Sequence, residues 1–153
     1  MVEKSKNNTP KSEFRYDFAN PILEGTSAYN HILEVIVESK KILDLEANWD
    51  DEGAKKITRD VWDKSISFLL NNTKFLFDRN GKVLPPPKIF PVPDGSIDLL
   101  WERNQKQLLI NIPENPENIG AYFAECNAKE DTKGKVDVTK VRPLIFLYFL
   151  END

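Results

Sequence analysis

The stretch from Lys88 to Ile112 constrains the fold most, because two turns and one alternation have to agree on a single register. Val92-Pro93-Asp94-Gly95-Ser96 suits a three-residue hairpin loop. Proline presets φ at the second turn position, and glycine takes the left-handed position of a bulge. That loop pairs Val92 with Ser96 and Pro91 with Ile97. Pro91 then falls at a non-hydrogen-bonded site with its missing N–H facing outward, which makes the first strand a sheet edge. A two-residue Asp-Gly loop would instead place Pro91 and Pro93 at bonded sites, so it is rejected. A two-residue turn at Asn104-Gln105 pairs Trp101 with Leu108, Leu99 with Ile110 and Ile97 with Ile112. All six are apolar and share one face, which Ile89 and Pro91 join. Turn chemistry and alternation arrive independently at the same register.

Around this sheet the chain reads as α+β. Residues 1–20 are polar and aperiodic and read as a mobile tail, with residues 21–153 as one domain. Phe14, Tyr16 and Phe18 alternate within the tail, which suits its end to docking on the body. A first helix is expected from about Ser27 to Leu45, with Tyr29, Ile32, Leu33, Ile36 and Leu43 as its stripe. A second starts at the N-cap Thr58, carries Trp62, Ile66, Leu69, Leu70 and Leu76 inward, and stops at Asn80-Gly81. Pro85-Pro86-Pro87 is a stiff connector. A fourth strand is expected from Ile119 to Cys126, followed by a charged loop from Asn127 to Lys135. The end, from about Asp137, reads as a helix with Pro143 in its first turn, although Leu144 to Leu150 also fits a strand. The expected architecture is two N-terminal helices, a four-stranded antiparallel meander and a C-terminal helix.

A chain of 153 residues can bury a core without disulfides or metals. The net charge of −4 disfavours non-specific nucleic-acid binding. The single cysteine, Cys126, precludes an intrachain disulfide and suits a cytoplasmic setting. The longest apolar run, Leu144 to Leu150, is far short of a membrane span of about 20 residues. No apolar leader stands at the N-terminus.

Two stretches resemble an uncharacterised family of small bacterial proteins. That family carries a Trp-Asp-Gly-Tyr-Gly-Ala loop before a helix, then a proline-led hairpin ending in Leu-Glu-Trp. Here the first stands as Trp49-Asp50-Asp51-Glu52-Gly53-Ala54. The second stands as Pro87, Ile89, Pro91, Asp94-Gly95, Ile97, Leu99 and Trp101. The likeness covers Asn48 to Glu102. Asp51 and Glu52 replace Gly and Tyr, and Leu100 replaces the Glu before the tryptophan, so no role of those residues carries over. The resemblance implies the fold order and a loose association with mobile or defence-related loci, and no activity.

Candidate sites are few. From Asp44 to Asp63 seven acids stand against three bases, a net of −4 that equals the charge of the whole chain. Asp50, Asp51 and Glu52 read first as turn and helix caps, and only second as ligands for a hard cation or a basic partner. Trp49 reads as an anchor packed between the helices. Pro93-Asp94 with Asp131-Thr132-Lys133 superficially suggests a metal nuclease, but that site needs the second acid and the lysine on a strand beside the first acid. Asp94 serves a hairpin turn and Asp131 is expected in a charged loop, so the likeness is set aside. His31 is the only histidine, and it and Cys126 read as packing or surface positions. No glycine-rich phosphate loop, Cys/His metal spacing or basic-aromatic patch is present, so no catalytic set and no cofactor is expected.

The sharper feature is the other side of the sheet. The register puts Phe90, Val92, Leu100 and Leu109 on the face opposite Trp101, where a half-solvated sheet is normally polar. Either the C-terminal helix or the segment around Phe14 and Phe18 covers this face, or it is a surface for another protein or for self-association. The function expected is a non-enzymatic interaction module, an accessory or neutralising partner of another protein. The alternative is a small divalent-metal enzyme or nuclease that uses the acidic loop.

Overall fold

The computed structural model describes residues 27–126 and 130–151. The expected N-terminal tail, its aromatic segment and the first part of the expected charged loop lie outside those residues. Helix α1 (Ser27–Ser39) continues as a 3-10 segment (Lys40–Asp44) and is followed by α2 (Arg59–Asn80). Five strands come next: β1 (Lys88–Pro91), β2 (Ile97–Arg103), β3 (Lys106–Ile112), β4 (Ile119–Cys126) and β5 (Glu130–Asp137). Helix α3 (Pro143–Glu151) closes the chain. The strands form one antiparallel meander in the order β1-β2-β3-β4-β5.

The register of both hairpins is the one the turns demanded. Pro91 stands opposite Ile97, and Leu99 opposite Ile110 with Trp101 opposite Leu108. Val92 N–H donates to the Ser96 carbonyl at 2.9 Å, and Gly95 N–H to the Val92 carbonyl at 2.9 Å. Gly95 has φ +97°, the left-handed position that only glycine adopts without strain. Asn104 and Gln105 have φ +50° and +65°, the signature of a type I′ turn, whose twist matches the strands it joins. β1 is a sheet edge.

Two expectations are corrected. The sheet has five strands instead of four, because residues 130–137 pair along β4 from Cys126↔Glu130 to Ile119↔Asp137. Charges and glycine gave this segment the look of a loop, and β-propensity disfavours it. It pairs because Val136 is buried and the Tyr122 ring lies over Gly134, where an added Cβ would meet the ring at 3.0 Å. An aromatic covering an edge glycine in this way restores the packing that the glycine lacks. The first helix, expected to reach Leu45 as one piece, changes to 3-10 after Ser39. Buried Ser39 and Ile42 are then three apart, the 3-10 spacing, and Ile42 joins the core while the expected Leu43 packs half-buried against it. Ser39 Oγ donates to the Ile36 carbonyl at 2.7 Å and accepts the Trp62 indole N–H at 3.0 Å, which fixes the change of pitch.

Thr58 caps α2 by accepting Val61 N–H at 3.3 Å, and Gly81 ends it in a left-handed conformation. The C-terminal run is a helix. Asn72 Oδ1 on α2 accepts Arg142 N–H at 2.8 Å just before it starts, and Lys106 Nζ donates to the Phe149 carbonyl at 2.6 Å near its end. The three helices among the described residues thus lie on one face of the sheet: α1 against β1, α2 against β2 and β3, and α3 against α2 and β3. The core sits between the layers. Its centre is Trp101, whose ring meets Phe146 edge-on at 5.1 Å while Phe146 also packs against Phe68 at 6.1 Å. Among the described residues, no helix is long and apolar enough to cross a membrane.

Candidate functional site

The strand order sets Lys88, Leu100, Leu109, Phe123 and Lys133 in one row across all five strands, on the face away from the helices. Leu100 and Leu109 are directly opposite each other, as expected, and both are half-buried. Phe123 on β4 completes the apolar centre. It was missed because the β3–β4 connection carries no short-turn signature, so the register did not extend past β3. Asn118 turns that connection with φ +60°, held by its N–H to Asn115 Oδ1 at 2.8 Å. Phe90, 42% exposed, lies one row over, opposite Asp98. Val92 lies beyond it, at the hairpin turn.

Of the two covers expected for this face, the C-terminal helix is corrected: α3 is on the opposite side. Phe146 against Trp101 and the Lys106–Phe149 bond both fix it to the inner face. The sequence could not show this, because α3 is apolar nearly all round and gives no direction to its buried side. Residues 14–18 lie outside the described residues.

Beside the row, Asn111 Nδ2 donates to Asp98 Oδ1 and to Ser96 Oγ, each at 2.8 Å. Burial of Asp98 raises its carboxyl above the usual aspartate range, against the lowering effect of the Asn111 bond. Glu102, Gln107, Glu125 and Asp131 form the next row on the other side. The face therefore has an apolar centre, lysines at both ends and a polar rim, the layout of a small protein-contact patch.

The acidic loop is a closed turn. Asp50 Oδ1 accepts Glu52 N–H at 2.8 Å and Ala54 N–H at 3.0 Å, and Asn48 Oδ1 accepts Gly53 N–H at 2.7 Å. Asn48 N–H closes the ring on the Ala54 carbonyl at 2.6 Å. Asp51, with φ +64°, and Glu52 are exposed. Among the described residues no three Asp, Glu, His or Cys side chains are grouped so as to hold a metal ion. Trp49, expected between the helices, is instead half-buried at its own loop, and its indole N–H bonds the Lys55 carbonyl at 3.0 Å.

The nuclease-like residues are far apart. Asp94 Oδ1 binds Ser96 N–H and Oγ within the β1–β2 turn, while Asp131 lies on β5 at the opposite sheet edge. Four strand spacings of about 4.8 Å separate the two edges. His31 is exposed on α1 with Nδ1 3.1 Å from Glu34 Oε1. Cys126 is half-buried on β4. A polar cleft of about 350 Å³ between α2 and the end of β5 was not foreseen. Burial lowers the Lys64 amine there, and Lys64 donates to Asn118 Oδ1 at 2.7 Å.

Comparison with family models, with curated proteins and with solved structures finds no match. The reading of function rests on the geometry above.

Proposed function

We propose that this chain is a non-enzymatic protein-interaction module that binds through the outer face of its sheet. One observation carries the reading: Leu100, Leu109 and Phe123 form a contiguous apolar row on the face that no described helix covers. A monomer gains nothing by leaving such a row to water, whereas a partner burying it gains about 25 cal/mol per Å² of apolar area. The occupant that fits is another protein with a flat apolar centre, its polar rim placed to meet Lys133 at one end of the row and the Lys88–Glu102 pair at the other. The resemblance of residues 48–102 to small proteins of mobile or defence-related loci adds that this partner is one the module accompanies or neutralises. The test compares wild type, Leu109→Asp and the distant surface variant Val37→Asp, by sedimentation and by capture of partners from native lysate. The reading expects partners that Leu109→Asp loses and Val37→Asp keeps. A folded Leu109→Asp protein with unchanged capture would reject the face. Loss of a wild-type dimer in Leu109→Asp would make a second copy the occupant.

A further inference from the structure

A groove of about 560 Å³ runs between the end of α1 with its 3-10 continuation and the inner side of β1. Val35, Ile42, Leu45, Pro87, Ile89 and Pro91 line it. The two lysines on its rim are already ion-paired, Lys41 with Glu38 at 2.7 Å and Lys88 with Glu102 at 3.0 Å. The groove therefore favours an apolar occupant over a charged one. Its β1 wall is an open edge with a limited offer. Val92 bonds toward β2, and bonded sites alternate along an antiparallel pair, so Ile89 directs its N–H and C=O away from β2. Pro91 has no N–H to give. A short extended segment centred on Ile89 fits this edge, and a long added strand does not.

We propose that the groove receives this chain's own aromatic segment, with Phe14, Tyr16 and Phe18 as the occupying side chains. Their period of two puts all three rings on one side of an extended segment, with Arg15 and Asp17 on the other. Eight residues, 19–26, join that segment to Ser27. Eight residues span at most about 26–29 Å when extended, whereas the helix rises only about 12 Å from Ser27 to Val35. A tether of that length is long enough for the segment to reach the groove from the start of α1. It also raises the local concentration of the segment far above that of a free partner, which must give up translational freedom to bind. The inference is independent of the outer-face reading: a segment held beside β1 on the inner side leaves the Leu100–Phe123 row open.

The test is disulfide trapping in the full chain carrying Cys126→Ser, with Tyr16→Cys combined with Val35→Cys, and separately with Leu109→Cys on the outer face. Oxidation is expected to give an intramolecular bond in the Val35→Cys pair and none in the Leu109→Cys pair. A Val35→Cys bond that forms only between chains would assign the groove to a second copy. No bond at all, or a bond to the outer face, overturns the proposal as well. Hydrogen exchange supplies a readout without engineered cysteines. With Phe14, Tyr16 and Phe18 all changed to Ser, the Ile89 amide should exchange at least about tenfold faster than in wild type. An unchanged rate would contradict the docking.

Discussion

Asn104 is a natural first residue for a type I′ turn, but Gln105 holds φ +65° with a side chain that disfavours it. Gln105→Gly relieves that strain and should raise stability by about 0.5–1 kcal/mol in chemical denaturation, with the register unchanged. Lys106, next in the chain, is 3% exposed and sets its ammonium on the Phe149 carbonyl and over the Phe149 ring. Replacing it with Met keeps the stem but leaves a buried carbonyl without that donor. The expected loss is about 1–3 kcal/mol, with faster amide exchange in α3. Asp98 gives the pH prediction. Its folded carboxyl is raised above 3.8 by burial, so the folded state holds the proton longer than the unfolded chain. Its contribution to stability therefore falls as pH rises from the ordinary value to the raised one, and stays low above that. Asp98→Asn should be more stable than wild type at pH 7, and the gap should close below the ordinary aspartate range. None of these three effects was legible beforehand: Lys106 reads as a surface strand residue until α3 is known to end against it.

At the scale of elements, what was legible followed from redundancy. The two β1–β3 turns were readable because loop chemistry and side-chain alternation each specify the pairing, and a slip by one residue would turn every inward side chain outward. The same holds for α2, where Thr58 and Gly81 mark the ends of a strong stripe. β5 carried one signal only, Val136, and its pairing depends on Tyr122 and β4, which are remote information. α3 was legible as a helix through Pro143, but its docking side was not. Trp101 is where these elements meet, with its indole N–H on the Pro85 carbonyl at 2.8 Å and Phe146 against its ring. Trp101→Ala should cost about 3–5 kcal/mol, measured by denaturant unfolding, and should loosen α3 before β2 and β3. Of the candidate site, Leu100 and Leu109 were readable from the second hairpin, while Phe123 needed the register of β4.

The described residues form two layers, with helices on one sheet face and an apolar row on the other. The sheet's edges are guarded differently: prolines flank β1, and Lys133 and Lys135 sit on β5. Both devices disfavour edge-to-edge pairing, in keeping with the proposal that association uses the outer face. The central claim is that neighbouring residues Leu99 and Leu100 live in different environments, one in the core and one on a surface kept for a partner. Thermal melts of Leu99→Asp and Leu100→Asp, made side by side, test it most directly. A carboxylate at Leu99, 0% exposed, would be buried without a partner at a cost comparable to a domain's whole stability of about 5–15 kcal/mol, so that variant should not fold. Leu100→Asp loses one cross-strand pair with Leu109 and should melt cooperatively, within about 1 kcal/mol of wild type. If Leu100→Asp unfolds as Leu99→Asp does, the outer row belongs to the core and the account of it as a binding face is wrong.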